Sequence, residues 1–169
     1  MVNGTPLHPG LTHWPFAFLT VSFFLDALQP IHDSLPASVL SILPPAVELH
    51  RISFYALSAG LLTAVPAVLS GGAQAVQIFQ TTGVWEKGGG LKPKVKAVLF
   101  HAITMDIILA AAAWVWSGRD RNEVAFTKEW GRAGIAVALS LALMFSMNLG
   151  GQLTYNWGMG MTMGKKKTG

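Results

Sequence analysis

Four apolar stretches alternate with short polar segments along the chain, and each is long enough to cross a lipid bilayer. They cover about residues 9–29, 52–72, 97–117 and 133–155. The second and fourth carry no charged side chain, whereas the first and third each contain one acid, Asp26 and Asp106. Because a membrane-spanning helix needs ~20 mainly apolar residues, the pattern predicts an all-α fold, an integral membrane four-helix bundle.

The connections between the spans complete this expectation. An even number of spans puts both termini on the same side of the membrane, and a single four-span domain accounts for residues 1–169. The Pro-rich segment 30–50 is expected at the membrane interface or as a short re-entrant turn, the Gly-rich segment 74–96 as a surface loop, and 118–132 as a charged hairpin. Asp26, near the far end of the first span, is expected at the interface. No internal repeat is evident in the sequence.

Composition supports a membrane environment and excludes several kinds of site. Hydrophobic residues make up 51% of the chain and charged residues 12%, against about 25% charged residues in soluble domains. The sequence has no cysteine, which excludes disulfides, thiolate metal sites, iron–sulfur clusters and covalent c-type haem. The lysines lie in loops and near the C-terminus, so no nucleic acid is expected as a partner. No hydrolase triad, phosphate-binding loop or nucleotide-binding motif is present.

Histidines provide the main candidate chemistry, because three of the five lie at the same end of the predicted bundle. His8 and His13 are at the entrance of the first span, and His101 is about five residues into the third. The fourth span ends on the same side and brings two polar residues, Gln152 and Tyr155. These five residues form the candidate cofactor-binding site, with the three histidines as candidate metal ligands.

Neutral imidazole binds transition metals and haem iron, so this end of the bundle is a candidate cofactor site. His13 and His101 would supply the two axial ligands of a b-type haem if the first and third spans are neighbours. His8 and His13 would lie ~140° apart on an unbroken helix, but the prolines beside them argue against such a helix and allow both rings to turn inward. The alternative is that the histidines are hydrogen-bond donors that hold the first helix to the bundle. His50, at the opposite end, is expected to tolerate replacement.

Asp106 is the other ionisable residue of interest. It lies ten residues into the third span, which corresponds to a depth of ~15 Å. A charge near the middle of a bilayer is costly, and such a residue usually faces the bundle interior with a partner. We therefore expect a buried acid, which is either a proton relay or ion site, or a neutral carboxyl group bonded to Ser or Thr on a neighbouring helix.

Basic residues predict the orientation of the chain by a small excess. Seven lysines are expected on the side of the termini: Lys87, Lys92, Lys94, Lys96, Lys165, Lys166 and Lys167. Five basic residues are expected on the other side: Arg51, Arg119, Arg121, Lys128 and Arg132. The excess favours cytosolic termini. In a eukaryote Lys166 and Lys167 would fit a dilysine endoplasmic-reticulum retrieval signal, and the alternative is a polybasic segment bound to anionic lipid.

Two segments resemble a known family. Residues 8–17, HPGLTHWPFA, are similar to the H-P-x-x-V-H-F-P-I-A signature of domain-of-unknown-function family 2231, a family of four-span predicted membrane proteins. Residues 149–155, LGGQLTY, resemble its L-G-G-x-L-V-Y motif, and the His-Ala pair at 101–102 also matches. The resemblance covers about residues 6–161, with one departure at Trp157, where the family often has a histidine. The resemblance implies a four-span fold in a membrane. It also implies a link to redox chemistry, because domains of this family are sometimes fused to cytochrome or iron–sulfur modules.

These observations lead to one functional expectation with two alternatives. The expectation is a haem- or metal-binding membrane protein with an electron-transfer role, whose cofactor is haem b or, alternatively, a transition metal. Its partners would be the lipid bilayer and either a redox partner or a larger membrane complex. One alternative is a non-enzymatic scaffold or assembly subunit with structural histidines and no cofactor. The other is a small carrier that uses Asp106.

Overall fold

Four long helices make up most of the protein. The computed structural model describes residues 7–119 and 130–159. The helices are α1 (Leu7–Leu28), the short α2 (Ala37–Leu40), α3 (Ala46–Thr82), α4 (Pro93–Ser117) and α5 (Trp130–Tyr155). The four long helices are long and apolar enough to cross a membrane, the first together with the 3-10 helix that follows it. This confirms the predicted all-α membrane bundle, and each predicted span falls within one of these segments.

The long helices form a ring in which α1 and α4 are diagonal. α1 packs most extensively on α3, α4 packs on α5, and contacts of α1 with α5 and of α3 with α4 close the ring. The buried core lies near mid-height and contains residues of every long helix, among them Leu19, Leu57, Ile108 and Leu143. The first and third spans are therefore not neighbours, as the haem hypothesis required, but face each other across the bundle.

Glycine permits a close contact between α1 and α3 in this ring. A Cβ atom built on Gly60 of α3 would lie 2.8 Å from Cδ2 of Leu19 on α1, which is shorter than real Cβ contacts. The absence of a side chain at Gly60 therefore lets the two helices approach closely, as small residues generally do in membranes.

The loop after the second span is shorter than predicted. The helix α3 has 37 residues, about 55 Å of helix, and it includes the segment 74–82 that we expected to be loop. That segment contains neither glycine nor proline, so nothing interrupts the helix before Gly83, whose φ of 73° ends it. The remaining connection is a narrow turn closed by a β-bridge between Trp85 and Leu91.

The segment between α1 and α3 is folded into short helical pieces. A 3-10 helix, Gln29–Ser34, follows α1 directly, and Pro36 and Pro45 precede α2 and α3. Residues 46–50 belong to α3 rather than to the connection. The place of this segment at the membrane interface stays a prediction.

Candidate functional site

His8 is held in the bundle by α3. Its Nδ1 lies 2.9 Å from the carbonyl oxygen of Ala67 and 3.1 Å from Oγ of Ser70. Because a carbonyl oxygen only accepts hydrogen bonds, Nδ1 carries the proton and donates a hydrogen bond to the carbonyl oxygen of Ala67. The imidazole lies against Gly71, where a Cβ atom would approach its Cε1 to 2.7 Å. The glycine thus creates the space that the ring occupies.

His101 repeats this arrangement between α4 and α5. Its Nδ1 lies 3.0 Å from the carbonyl oxygen and 3.2 Å from Oγ of Ser146. A Cβ atom at Gly150 would approach its Cε1 to 3.1 Å. In both hairpins the accepting carbonyl group belongs to the residue four positions before the glycine. Each histidine is therefore fixed by the same combination of backbone acceptor and side-chain-free helix surface.

These bonds determine which nitrogen of each ring can bind a ligand. With the proton on Nδ1, a neutral imidazole keeps a lone pair on Nε2. Among residues 7–119 and 130–159 no hydrogen bond reaches Nε2 of His8 or His101. Metal-binding histidines commonly donate their other ring N–H to a backbone carbonyl, which fixes the ring orientation. Both rings have the donor chemistry of metal or haem ligands.

The two imidazoles border a common cavity inside the bundle. It has a volume of about 210 Å³ and a mainly apolar lining contributed by all four long helices, including Phe16, Met105 and Met147. A second cavity of about 190 Å³ lies on the His13 and Tyr155 side and also touches both rings. The histidine pair therefore lies where the two cavities meet, at the end of the bundle at which α1 begins and α5 ends.

His13 lies outside this pair. The helix α1 continues through both of its prolines, so the ~140° separation between His8 and His13 is retained. The His13 side chain is exposed, and its Nδ1 lies 2.6 Å from the carbonyl oxygen of Pro9 in its own helix. The expectation that both rings turn inward is wrong. Within the described residues no three His, Cys, Asp or Glu side chains are grouped to hold a metal ion.

The two polar residues of α5 also lie at the periphery. Gln152 is exposed and donates to Oδ1 of Asn148, 2.7 Å away on the same helix. Tyr155 is 81% exposed and borders only the smaller cavity. Neither residue reaches the wall of the larger cavity, so His8 and His101 form the centre of the site.

Asp106 is placed differently from our expectation. It borders the larger cavity, but its side chain is exposed rather than enclosed. It lies five positions after His101, which turns it away from the histidine toward the outer surface of α4. Asp106 therefore lies at the rim of the cavity and is not a buried acid.

A buried ion pair at the opposite end of the bundle was missed by the sequence analysis. Asp26 of α1 accepts a hydrogen bond from Arg119, directly after α4, and both side chains are 1% exposed. Ser53 of α3 donates to Oδ1 of Asp26 over 2.5 Å and accepts from Arg119 over 2.9 Å. Gln29 also donates to Asp26, over 3.2 Å. Asp26 is therefore enclosed by protein near the end of α1, while its depth at the membrane interface stays a prediction, and Arg119 belongs to the bundle rather than to a solvated hairpin.

The ion pair and the histidine pair have the same spacing in the two hairpins. Asp26 lies 18 positions after His8, and Arg119 lies 18 positions after His101. Eighteen residues of helix span ~27 Å, close to the thickness of the bilayer core. The hairpins α1–α3 and α4–α5 thus place one histidine each at one end and one charge each at the other. The expectation that the sequence has no internal repeat stays a prediction, because the equal spacing relates only these four residues.

Comparison with known proteins gives one match. No curated protein and no solved structure matches this chain. The sequence model of the family described as predicted membrane protein (DUF2231) matches residues 4–163, which include all four spans, both histidines and the ion pair. The chain therefore belongs to the DUF2231 family of predicted membrane proteins.

Proposed function

We propose that this multi-pass membrane protein holds a transition-metal ion between Nε2 of His8 and Nε2 of His101 and serves electron transfer. One observation carries the proposal: two imidazoles on diagonal helices border one cavity, and each donates its Nδ1–H to a backbone carbonyl group. This is the hydrogen bonding that orients metal-bound histidine. The similar bonding of the two rings supports it further, because the two hairpins contribute one equivalent ligand each.

The size of the site favours an ion over haem b. Cavities that enclose small organic ligands measure roughly 300–1,000 Å³, and the larger cavity here measures about 210 Å³, which is small for a macrocycle. An ion needs only the space between the rings. The thioethers of Met105 and Met147 border the same cavity, and a mixture of imidazole and thioether donors suits copper. A copper ion supplies one-electron exchange, and the protein supplies two oriented imidazoles in an apolar surrounding.

The experiment is metal analysis of the full chain purified in detergent and loaded with copper or iron. We expect about one ion per chain in the parent protein and in His13→Ala, the matched control on the same helix. His8→Ala and His101→Ala should each lose most of the bound metal, because only one imidazole then remains to hold the ion. An absorption spectrum recorded on the same samples tests for haem b. An intense haem band that needs both histidines would identify haem instead, whereas equal metal content in all variants would refute the histidine site.

A scaffold function is the second candidate, and the same hydrogen bonds favour it. His8 ties α1 to α3, and His101 ties α4 to α5, so both rings fasten a helix pair whatever they bind. Under this candidate the parent protein binds no metal or haem. His8→Gln and His101→Gln should then lower stability only modestly, by about 0.6 kcal/mol for each intramembrane hydrogen bond.

For orientation we propose that the histidine end faces the cytosol. The positive-inside rule counts basic residues in loops near the spans. Arg119 is buried beside Asp26, so it no longer counts as a loop charge, and the excess of lysines on the histidine side increases. Lys165, Lys166 and Lys167, which contribute to that excess, lie outside the described residues. A dilysine retrieval signal at Lys166 and Lys167 remains part of the same proposal.

A further inference from the structure

The larger cavity has an opening between α3 and α4. Near the ion-pair end these helices are joined by the indole N–H of Trp116, which donates to Oγ of Ser58 over 2.8 Å. The helices α3 and α4 run in opposite directions. Val68 lies ten residues after Ser58 on α3, and Asp106 lies ten residues before Trp116 on α4. Both are therefore ~15 Å from this hydrogen bond and level with each other. Both residues border the cavity, and both side chains are exposed. The opening is therefore near mid-height of the bundle, where the surrounding medium is lipid.

Small residues on α3 create the cavity. Five of its lining positions on this helix are alanine or glycine: Ala64, Ala67, Gly71, Gly72 and Ala75. The resulting volume of about 210 Å³ exceeds the ~150 Å³ apolar cavity that is known to bind benzene in another protein. It therefore suits one substituted six-membered ring rather than a larger ring system.

The polar groups of the cavity are few and lie apart. Asp106 stands at the opening, and the two histidines stand at the inner end beyond the apolar wall. A carboxyl group accepts a hydrogen bond from a ring hydroxyl when ionised and donates one to a ring carbonyl when protonated. A ligand that uses these features has an oxygen-substituted ring and an apolar tail that stays in lipid.

We propose that this cavity binds the head group of a membrane-soluble quinone or quinol, which enters from the bilayer between Val68 and Asp106 and forms a hydrogen bond with the Asp106 carboxyl group. The ring then lies against the apolar wall below the histidine pair, and the tail leaves through the α3–α4 opening. The inference rests on the proposed function only for the role of this ligand as an electron-transfer partner. Binding itself requires no metal ion.

The test measures binding of decylubiquinone, a short-tailed quinone, to the full chain in nanodiscs after treatment with a chelator. We expect saturable quenching of tryptophan fluorescence. Val68→Trp should weaken binding at least about tenfold by filling the opening, and Asp106→Leu should weaken it several-fold because leucine offers no hydrogen bond to the ring oxygen. Val65→Trp is the matched control, because Val65 is exposed on the same helix but does not border the cavity, and it should bind like the parent protein.

Decylbenzene, which has the tail and a ring without oxygen, is the competitor that tests recognition of the ring oxygens. It should displace decylubiquinone poorly. Equal displacement would overturn the proposal and identify the cavity as a site for hydrocarbon chains. Non-saturable quenching, or equal weakening by Val68→Trp and Val65→Trp, would also overturn it. Because the protein is free of metal here, these outcomes are independent of whether His8 and His101 bind an ion.

Discussion

His101 and Gly150 fit together so closely that any side chain on the glycine would disturb the ring. A Cβ atom there would lie 3.1 Å from Cε1 of the imidazole, and the equivalent distance between Gly71 and His8 is 2.7 Å. Each ring is also held by its Nδ1 at a carbonyl group one helical turn before the glycine. The ring therefore cannot move aside without weakening that hydrogen bond. A glycine and a histidine on different helices thus act as one unit in each hairpin.

Gly71→Ala should displace His8 and lower both metal content and stability. Overpacking of this kind typically costs about 1–3 kcal/mol. Gly72→Ala is the control, since a Cβ atom at Gly72 has no neighbour within 4 Å, and it should be neutral or slightly stabilising. Gly150→Ala should have a smaller effect than Gly71→Ala because its contact is longer. Unfolding in mixed detergent micelles measures stability. Equal stability of Gly71→Ala and Gly72→Ala would contradict the close fit between Gly71 and His8.

The buried ion pair leads to a prediction about non-additivity. Asp26→Leu or Arg119→Met alone leaves one charge inside the bundle, and breaking a buried pair typically costs about 3–5 kcal/mol. The double variant removes both charges and should be less destabilised than the sum of the single variants. A double-mutant cycle measured by unfolding in micelles gives the coupling energy directly.

The exposed pair between Arg51 and Glu48 provides the comparison for that cycle. Nη1 of Arg51 lies 2.9 Å from Oε1 of Glu48, but both side chains are about half exposed. Glu48→Gln should therefore change the free energy of unfolding by less than about 1 kcal/mol. Additive effects of Asp26→Leu and Arg119→Met would show that the buried pair contributes no coupling.

His50 should be sensitive to replacement, in contrast to the expectation from the sequence. Its side chain is buried, with 4% of its surface exposed, at the end of the bundle that holds the ion pair. His50→Ala should reduce stability by about 1–3 kcal/mol because it removes a buried side chain from the packed bundle, with no loss of bound metal. His13→Ala, at an exposed position, should leave stability nearly unchanged. A His50 variant as stable as the parent would restore the original expectation.

The fold could be predicted from the sequence because its main determinant is local. Twenty apolar residues in succession specify a membrane span whatever surrounds them, and all four were found in this way. The end of α3 was missed because a helix is not obliged to end where the bilayer ends. Gly83 ends it, whereas the sequence predicted that the surface loop begins at residue 74.

The site was only half predictable because it depends on how the helices are arranged. His8 and His101 were identified as candidates from their position at one end, but their separation from His13 required a continuous α1 through Pro15. The partners that fix the rings are backbone carbonyl groups, which every residue has and no sequence pattern marks. The ion pair joins residues 93 positions apart, and only the equal spacing from the two histidines hints at it.

The last prediction concerns topology and orientation. Reporter fusions within 88–90 and after residue 164 should report the same side of the membrane, because two spans, α4 and α5, separate them. A fusion near residue 122 should report the opposite side, since one span separates it from each. The lysine excess further predicts that the first two positions are cytosolic, and a dual reporter that is active on only one side of the membrane measures both results. If the fusions near 122 and after 164 report the same side, α5 does not cross the membrane, and the pairing of two equivalent hairpins fails with it.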